Sequence, residues 1–254
     1  IYFGLLICIA LTAAIKFDVG PIKFHLAEMG IFNFPYIWHF NTYVAAILKF
    51  FLLLVIVSMM ANEYSYKTLK QNLIDGLSKK EFILSKFYTV VAFALASTFF
   101  VFITSLILGL IYSDYNEFAI ITSDLTYFLA FFIKLIGYFS FGLFLGILVK
   151  RSAFAVGAML VWYFIEWIIF GILGWKFVSW ETAQSIKNFL PLEAMSNLIK
   201  EPGSRLGAVR SIANQIGETF TKTYAVEFST ITIVSLWTFI FIYLSLILLK
   251  KRDL

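Results

Sequence analysis

Residues 61–86 read ANEYSYKTLKQNLIDGLSKKEFILSK and lie between two long apolar runs. Tyr66, Leu69 and Leu73 recur at i, i+3 and i+7, with basic and polar residues between them. This spacing predicts a short amphipathic helix with one apolar stripe. A charged amphipathic helix between two apolar runs indicates a segment that protrudes from, or lies on, a membrane.

The second half of this stretch predicts a turn and a new helix. Asp75 and Gly76 end the first helix, since glycine favours the left-handed conformation at a helix C-terminus. Ser78 and Glu81 then have the spacing of a capping box, in which each side chain bonds the other residue's backbone amide. We refer to residues 61–86 as the elbow.

Composition places the whole chain in a lipid bilayer. The 254 residues are 61% hydrophobic and only 14% charged, against about 25% charged in soluble domains. A spanning helix needs about 20 apolar residues, and six such segments occur. The sequence therefore predicts an all-α polytopic membrane protein with one transmembrane domain over residues 1–254. The six predicted spans cover about residues 1–16, 41–60, 87–112, 125–149, 153–173 and 228–249.

Basic residues orient the six-span model. They concentrate in the elbow, in the Lys150–Arg151 turn and in the tail from Lys250 to Arg252. The connection 113–124, on the other side of the model, contains three acidic residues and no basic one. Because cytoplasmic loops carry an excess of Lys and Arg, we expect both termini in the cytoplasm. The net charge of +5 is thus a topology signal, and no nucleic-acid partner is expected. The chain begins at Ile1 within an apolar run, and we expect further sequence before it.

The elbow resembles the first cytoplasmic loop of the membrane subunits of type-2 ATP-binding-cassette (ABC) exporters. That loop typically has Glu at the membrane edge, Gly-Thr, an apolar helix, a turn, a Ser-Arg pair and a later Lys. Two positions depart from the pattern, because Lys67 replaces the usual Gly and Lys79 the usual Arg. The matching positions are Glu63, Thr68, Leu69, Leu73, Ser78 and Lys86.

The resemblance implies a permease subunit in a prokaryotic cytoplasmic membrane. It would form a homodimer or heterodimer with a second permease subunit and dock onto a separate ABC ATPase, which binds ATP and Mg. The contact with that ATPase would be made by Leu69, Leu73, Asp75, Gly76, Leu77 and Ser78.

The sequence agrees that ATP hydrolysis needs a partner. A P-loop requires a Gly followed directly by Lys, and no Gly here is followed by Lys. The two histidines, His25 and His39, and the lone Cys8 offer few ligands for zinc. We therefore expect no enzyme activity, catalytic residue, metal site or cofactor in this chain, and we expect both histidines at the membrane interface.

Three charged residues lie inside predicted spans, where charge is costly and usually functional or paired. Lys49, Lys134 and Glu166 fall about 10–15 Å below the external surface at a rise of 1.5 Å per residue. We call them the polar layer. One interpretation is a structural ion pair of Glu166 with Lys134 or Lys49, and the other is a polar vestibule on the substrate path.

The external segment, residues 174–227, predicts amphipathic helices on or in the outer leaflet. One stretch runs to Lys200 with an interruption at Pro191, and a second runs over about residues 206–220. Two alternative functions stay open beside export. One is a secondary transporter or channel driven by an ion gradient, with the polar layer as its relay. The other is a non-transporting membrane anchor in a motility or assembly machine.

Overall fold

Long helices dominate the structure because, in an apolar run, each backbone amide must find its hydrogen-bond partner within the segment. The computed structural model describes residues 2–11, 16–19, 22–25, 30–205 and 223–252. The helices are α1 (Tyr2–Leu11), α2 (Tyr36–Ser65), α3 (Thr68–Ile74), α4 (Lys79–Tyr112), α5 (Phe118–Ile121), α6 (Thr126–Val149), α7 (Ser152–Ile172), α8 (Trp180–Lys187), α9 (Pro191–Asn197) and α10 (Phe228–Lys250). A π-helical turn, Leu173–Phe177, follows α7, and a 3-10 turn, Gly203–Arg205, precedes the segment 206–222, which lies outside the described residues.

Five stretches within the described residues are long and apolar enough to cross a membrane, and they coincide with five of the six predicted spans. Two of these helices extend well beyond the predicted segments. α2 begins five residues before the apolar run that starts at residue 41, and α4 begins eight residues before residue 87. The capping box explains the second extension, because it starts α4 inside the elbow.

The structure describes the first predicted span only in part, because residues 1 and 12–15 lie outside the described residues. Residues 1–16 contain α1, whose ten residues extend over about 15 Å, half the thickness of a bilayer core. A two-stranded antiparallel ribbon follows, in which Lys16–Val19 pairs with Ile22–His25. The predicted all-helical fold is confirmed over the other regular elements of the described residues, and the ribbon is an addition that the sequence did not predict. β-branched and aromatic residues in both strands favour the extended conformation there.

The chain divides into two compact units. One unit contains residues 1–49, 96–131 and 199–226, and the other contains residues 50–95, 132–198 and 227–254. In the second unit, glycines of α6 allow close helix packing. A Cβ on Gly142 would lie 2.3 Å from Leu53 Cδ1, and one on Gly146 would lie 3.0 Å from Met60 Cβ. The helix that packs against Gly142 and Gly146 is therefore α2.

Candidate functional site

Backbone geometry fixes both ends of helix α3 in the elbow. Lys67, just before α3, has φ 58° and ψ 18°, a left-handed conformation that usually favours glycine. Beyond the last turn, Gly76 has φ 103°. Its amide donates to Leu73 O and the Leu77 amide donates to Asn72 O, the two bonds of a Schellman motif. The elbow is thus a helix with a defined start and stop.

The capping box predicted for α4 is present. Ser78 Oγ donates to Glu81 Oε2 over 2.6 Å, and the Glu81 amide donates to Ser78 Oγ over 3.2 Å. The Ser78 amide donates in turn to Glu81 Oε2 over 2.9 Å. These reciprocal bonds satisfy backbone amides that the first helical turn leaves free. They fix the point at which the chain leaves the turn and enters the 34-residue helix α4.

A carboxylate near the end of α2 binds both sides of the elbow. Glu63 Oε1 forms an ion pair with Lys86 Nζ, on α4. Glu63 Oε2 accepts a 2.6 Å hydrogen bond from Thr68 Oγ1, at the start of α3. Both Glu63 and Lys86 are largely buried, and charge-assisted bonds of this kind are stronger than neutral ones. One side chain therefore connects α2, α3 and α4.

The predicted docking residues divide into an exposed group and a buried one. Leu69 is 1% exposed, so in this structure it packs inside the second unit. This burial does not suit the predicted contact of Leu69 with a partner. Leu73 is half-buried. The predicted stripe also fails at Tyr66, which precedes α3 and is 76% exposed, because left-handed Lys67 separates it from the helix. The exposed predicted residues are Asp75, Gly76, Leu77 and Ser78. Ile74, which the stripe left out, is 69% exposed.

Three basic connections meet at the elbow end of the second unit, which we call the basic end. Lys79 Nζ donates to the carbonyls of Lys250 and Arg252, over 3.3 and 3.0 Å. The Arg252 guanidinium binds the carbonyls of Ile147 and Leu148 at the end of α6. Cations at helix C-termini satisfy free carbonyls and complement the helix dipole. These contacts place the elbow, the α6–α7 turn and the tail at one end of the second unit.

Glu166 of the polar layer is 3% exposed and serves as an acceptor for α9. Its two oxygens accept hydrogen bonds from the amides of Leu192 and Glu193, over 2.9 and 3.0 Å. Trp162 Nε1, one turn earlier on α7, donates to Glu166 Oε1 over 3.0 Å. A carboxylate at a helix N-terminus satisfies free amides and interacts favourably with the helix dipole.

Lys134 lies at the opposite end of the same short helix. It is 4% exposed, and its Nζ donates to Ser196 O, in the last turn of α9, over 3.3 Å. The structure thus brings Glu166 and Lys134 to the two ends of α9, with the charge signs that a helix dipole favours. Lys49 belongs to the other compact unit, where its Nζ donates to Ala46 O over 2.9 Å.

Sequence reasoning missed a polar network in the first unit. His39 is buried inside the protein, and its ring stacks on Tyr127 at 4.2 Å. Its Nε2 lies 2.8 Å from Lys200 O, and its Nδ1 lies 3.2 Å from Arg205 Nη1. Because a carbonyl only accepts and a guanidinium only donates, this geometry requires the neutral imidazole protonated at Nε2. The network also includes Asp124, whose carboxylate lies 3.7 Å from Arg205.

The sequence marked the positions of two residues of this network but not the contact between them. Tyr127 is the second residue of α6, and His39 is the fourth residue of α2. Both residues therefore lie close to the beginning of an apolar run. Polar aromatic residues at span ends are typical of membrane interfaces, so their burial together was not predictable. Among the described residues, no three side chains from His, Cys, Asp and Glu form a group that suits a metal ion.

The comparison with known proteins gives a family. A family model described as "Protein of unknown function (DUF2705)" matches residues 4–254. The chain belongs to this family. No curated protein and no solved structure matches the chain. Membership therefore covers nearly the whole chain, and the functional argument rests on the site geometry.

Proposed function

We propose that the chain is the permease subunit of an ABC exporter in a prokaryotic cytoplasmic membrane. In this proposal it has six spans with both termini in the cytoplasm. It pairs with a second permease subunit, and its elbow docks onto a separate ATPase. The observation that carries the proposal is the construction of the elbow, in which residues at the matching family positions bind one another.

Two features of the elbow support the resemblance. Glu63, Thr68 and Lys86, which match the family pattern in sequence, are joined by an ion pair and a hydrogen bond. Lys67 departs from the usual Gly, yet its φ of 58° is one that glycine adopts without steric cost. The backbone at this position therefore fits the family preference even though the side chain does not.

The geometry also suits transmission of a displacement. Leu69 packs inside the unit, so α3 is attached to the rest of the unit. α4 continues without a break from the elbow over 34 residues, about 50 Å. In the proposed mechanism, ATP binding closes the partner ATPases and moves the elbow, and α4 and the Glu63 contacts pass the motion into the spans. The closed ATPase shifts the equilibrium only because it binds one membrane conformation more tightly.

The basic end supports the proposed orientation. Since the elbow, the α6–α7 turn and the tail meet there, the proposal puts three clusters of Lys and Arg on one side of the membrane. The excess of positive charge on cytoplasmic loops favours the cytoplasm for this side. A water-soluble ATPase would then reach the exposed side chains of Tyr66, Ile74 and Leu77.

The experiment that tests the proposal is purification from the native host in mild detergent, with quantitative mass spectrometry of the proteins that accompany the chain. The wild type is compared with Tyr66→Asp, on the elbow, and with Tyr115→Asp, an exposed tyrosine in the predicted external connection 113–124. We expect a P-loop ATPase in stoichiometric amount, lost with Tyr66→Asp and retained with Tyr115→Asp.

Two outcomes contradict the proposal. If no ATPase accompanies the wild type while other membrane complexes stay intact, the ion-driven transporter becomes the better account. If an ATPase is retained equally by both variants, Tyr66 is not part of the docking surface. An ATPase that binds without any accompanying transport would favour the anchor in a motility or assembly machine.

A further inference from the structure

An open apolar groove runs along the second unit between α6, α7 and α10. Its volume is about 770 Å³, and it is lined by Leu148, Phe154, Gly157, Trp162 and Phe241 among others. Gly157 gives the groove depth, because a Cβ at this position would meet no atom within 4 Å. An open apolar groove in a membrane-spanning helix bundle suits a hydrocarbon chain.

One end of the groove carries positive charge. Lys150 and Arg151 are exposed and directly precede α7. The Arg151 guanidinium lies 6.0 Å from the ring centroid of Phe154, which lines the groove. Among the described residues, no carboxylate lies within 4.0 Å of Lys150, Arg151 or the nearby exposed Lys251. These charges are available to an anionic ligand.

The length of the groove fits one leaflet. Along α7 its lining runs from Ala153 to Ile165, and the twelve steps of 1.5 Å between these residues give a length of about 18 Å. One leaflet contributes about 15 Å of a hydrocarbon core that is about 30 Å thick. A lipid with its headgroup at the Lys150–Arg151 turn would therefore place its acyl chain along the whole groove.

We propose that this groove binds an acyl chain of an anionic phospholipid, with the lipid phosphate held by Lys150 and Arg151. The apolar wall by itself accepts the chain of any phospholipid. Lys150 and Arg151, which have no carboxylate within 4.0 Å among the described residues, select the anionic ones, because attraction between basic residues beside a membrane and anionic headgroups favours binding. The headgroup position borders the elbow, since Lys150 Nζ lies 5.6 Å from the ring centroid of Tyr64, but the proposal does not depend on the identity of a docked partner.

The test is photocrosslinking in nanodiscs. The full chain is placed in discs that contain a small fraction of lipid with a diazirine in one acyl chain, either phosphatidylglycerol or phosphatidylcholine. Adducts are mapped to peptides by mass spectrometry. For the wild type we expect phosphatidylglycerol to label the groove residues of α6 and α7 several-fold more than phosphatidylcholine does.

Two pairs of variants isolate the chain and the headgroup. Gly157→Leu fills the groove, whereas Gly171→Leu adds the same side chain to α7 at an open position outside the groove. We expect loss of groove labelling for Gly157→Leu alone. Arg151→Gln removes one cation at the headgroup position, and Lys176→Gln removes one beyond the other end of α7. We expect only Arg151→Gln to lower phosphatidylglycerol labelling, by about fivefold.

Other outcomes overturn the proposal. Equal labelling by the two lipids would mean that the groove is occupied by bilayer lipid without selection for the headgroup. Labelling that is the same in Gly157→Leu and Gly171→Leu would mean that the chain lies elsewhere. If wild-type groove peptides stay unlabelled and Gly157→Leu lowers the oligomer mass by native mass spectrometry, a second copy covers the groove instead.

Discussion

Replacement of Glu166 by alanine is expected to release helix α9. The variant leaves the Leu192 and Glu193 amides without the acceptors that they use at 2.9 and 3.0 Å. An amide left without its partner in a buried site costs about 1–3 kcal/mol, so the two together cost about 2–6 kcal/mol. Glu166 itself is buried, but its hydrogen bonds to the two amides are only partly buried; this favours the lower half of the range, and we expect about 3 kcal/mol. Glu166→Gln keeps one acceptor oxygen, and we expect it to cost roughly half as much.

Hydrogen exchange with mass spectrometry measures this effect locally. A loss of 3 kcal/mol corresponds to about a hundredfold faster exchange of the amides that open, here in peptides that cover residues 188–198. Glu181→Ala removes an exposed carboxylate from the neighbouring helix α8 and is the matched control, with an expected change within about 0.5 kcal/mol. Equal exchange of this segment in the two variants would refute the argument that Glu166 holds α9.

Three further substitutions test the elbow and the packing of α6, each by thermal unfolding in detergent. Gly76→Ala forces a Cβ onto a residue with φ 103° and should cost about 1–2 kcal/mol. Gly142→Ala places its Cβ 2.3 Å from Leu53 Cδ1 and should cost about 1–3 kcal/mol, whereas Gly157→Ala, in open space, should cost nothing measurable. Ser78→Ala removes the capping box of α4 and should cost about 1 kcal/mol. An unchanged melting temperature in Gly76→Ala, Gly142→Ala or Ser78→Ala would contradict the argument for that residue.

The sequence predicted the helices and helix ends that are determined by residues close together in the chain. Apolar runs located five of the helices, because a bilayer allows only structures that satisfy their own backbone groups. The stop at Gly76 and the capping box at Ser78 were correct, since both depend on residues within one turn. The bounds of α2 were not, because residues outside the apolar run continue the helix at both of its ends.

Contacts between distant segments were beyond sequence reasoning. Periodicity placed Leu69 on an apolar stripe and the family resemblance implied a docking role for it, but only the packed structure shows that it is buried. For Glu166 the sequence suggested an ion pair or a polar vestibule, and it did not predict that the carboxylate accepts hydrogen bonds from two backbone amides 26 and 27 residues away. The His39–Arg205 contact joins residues 166 positions apart. No local pattern marks backbone partners of this kind, since any helix N-terminus can supply them.

The most direct test of the central claim is photocrosslinking from the elbow in living cells of the native host. A photoreactive amino acid replaces Ile74, which is 69% exposed, and cross-linked proteins are identified by mass spectrometry. Phe118, 80% exposed in the predicted external connection, receives the same amino acid as a control. The account predicts that Ile74 cross-links to a P-loop ATPase and that Phe118 does not. Cross-links from Ile74 to lipid alone would contradict the proposed docking of the elbow.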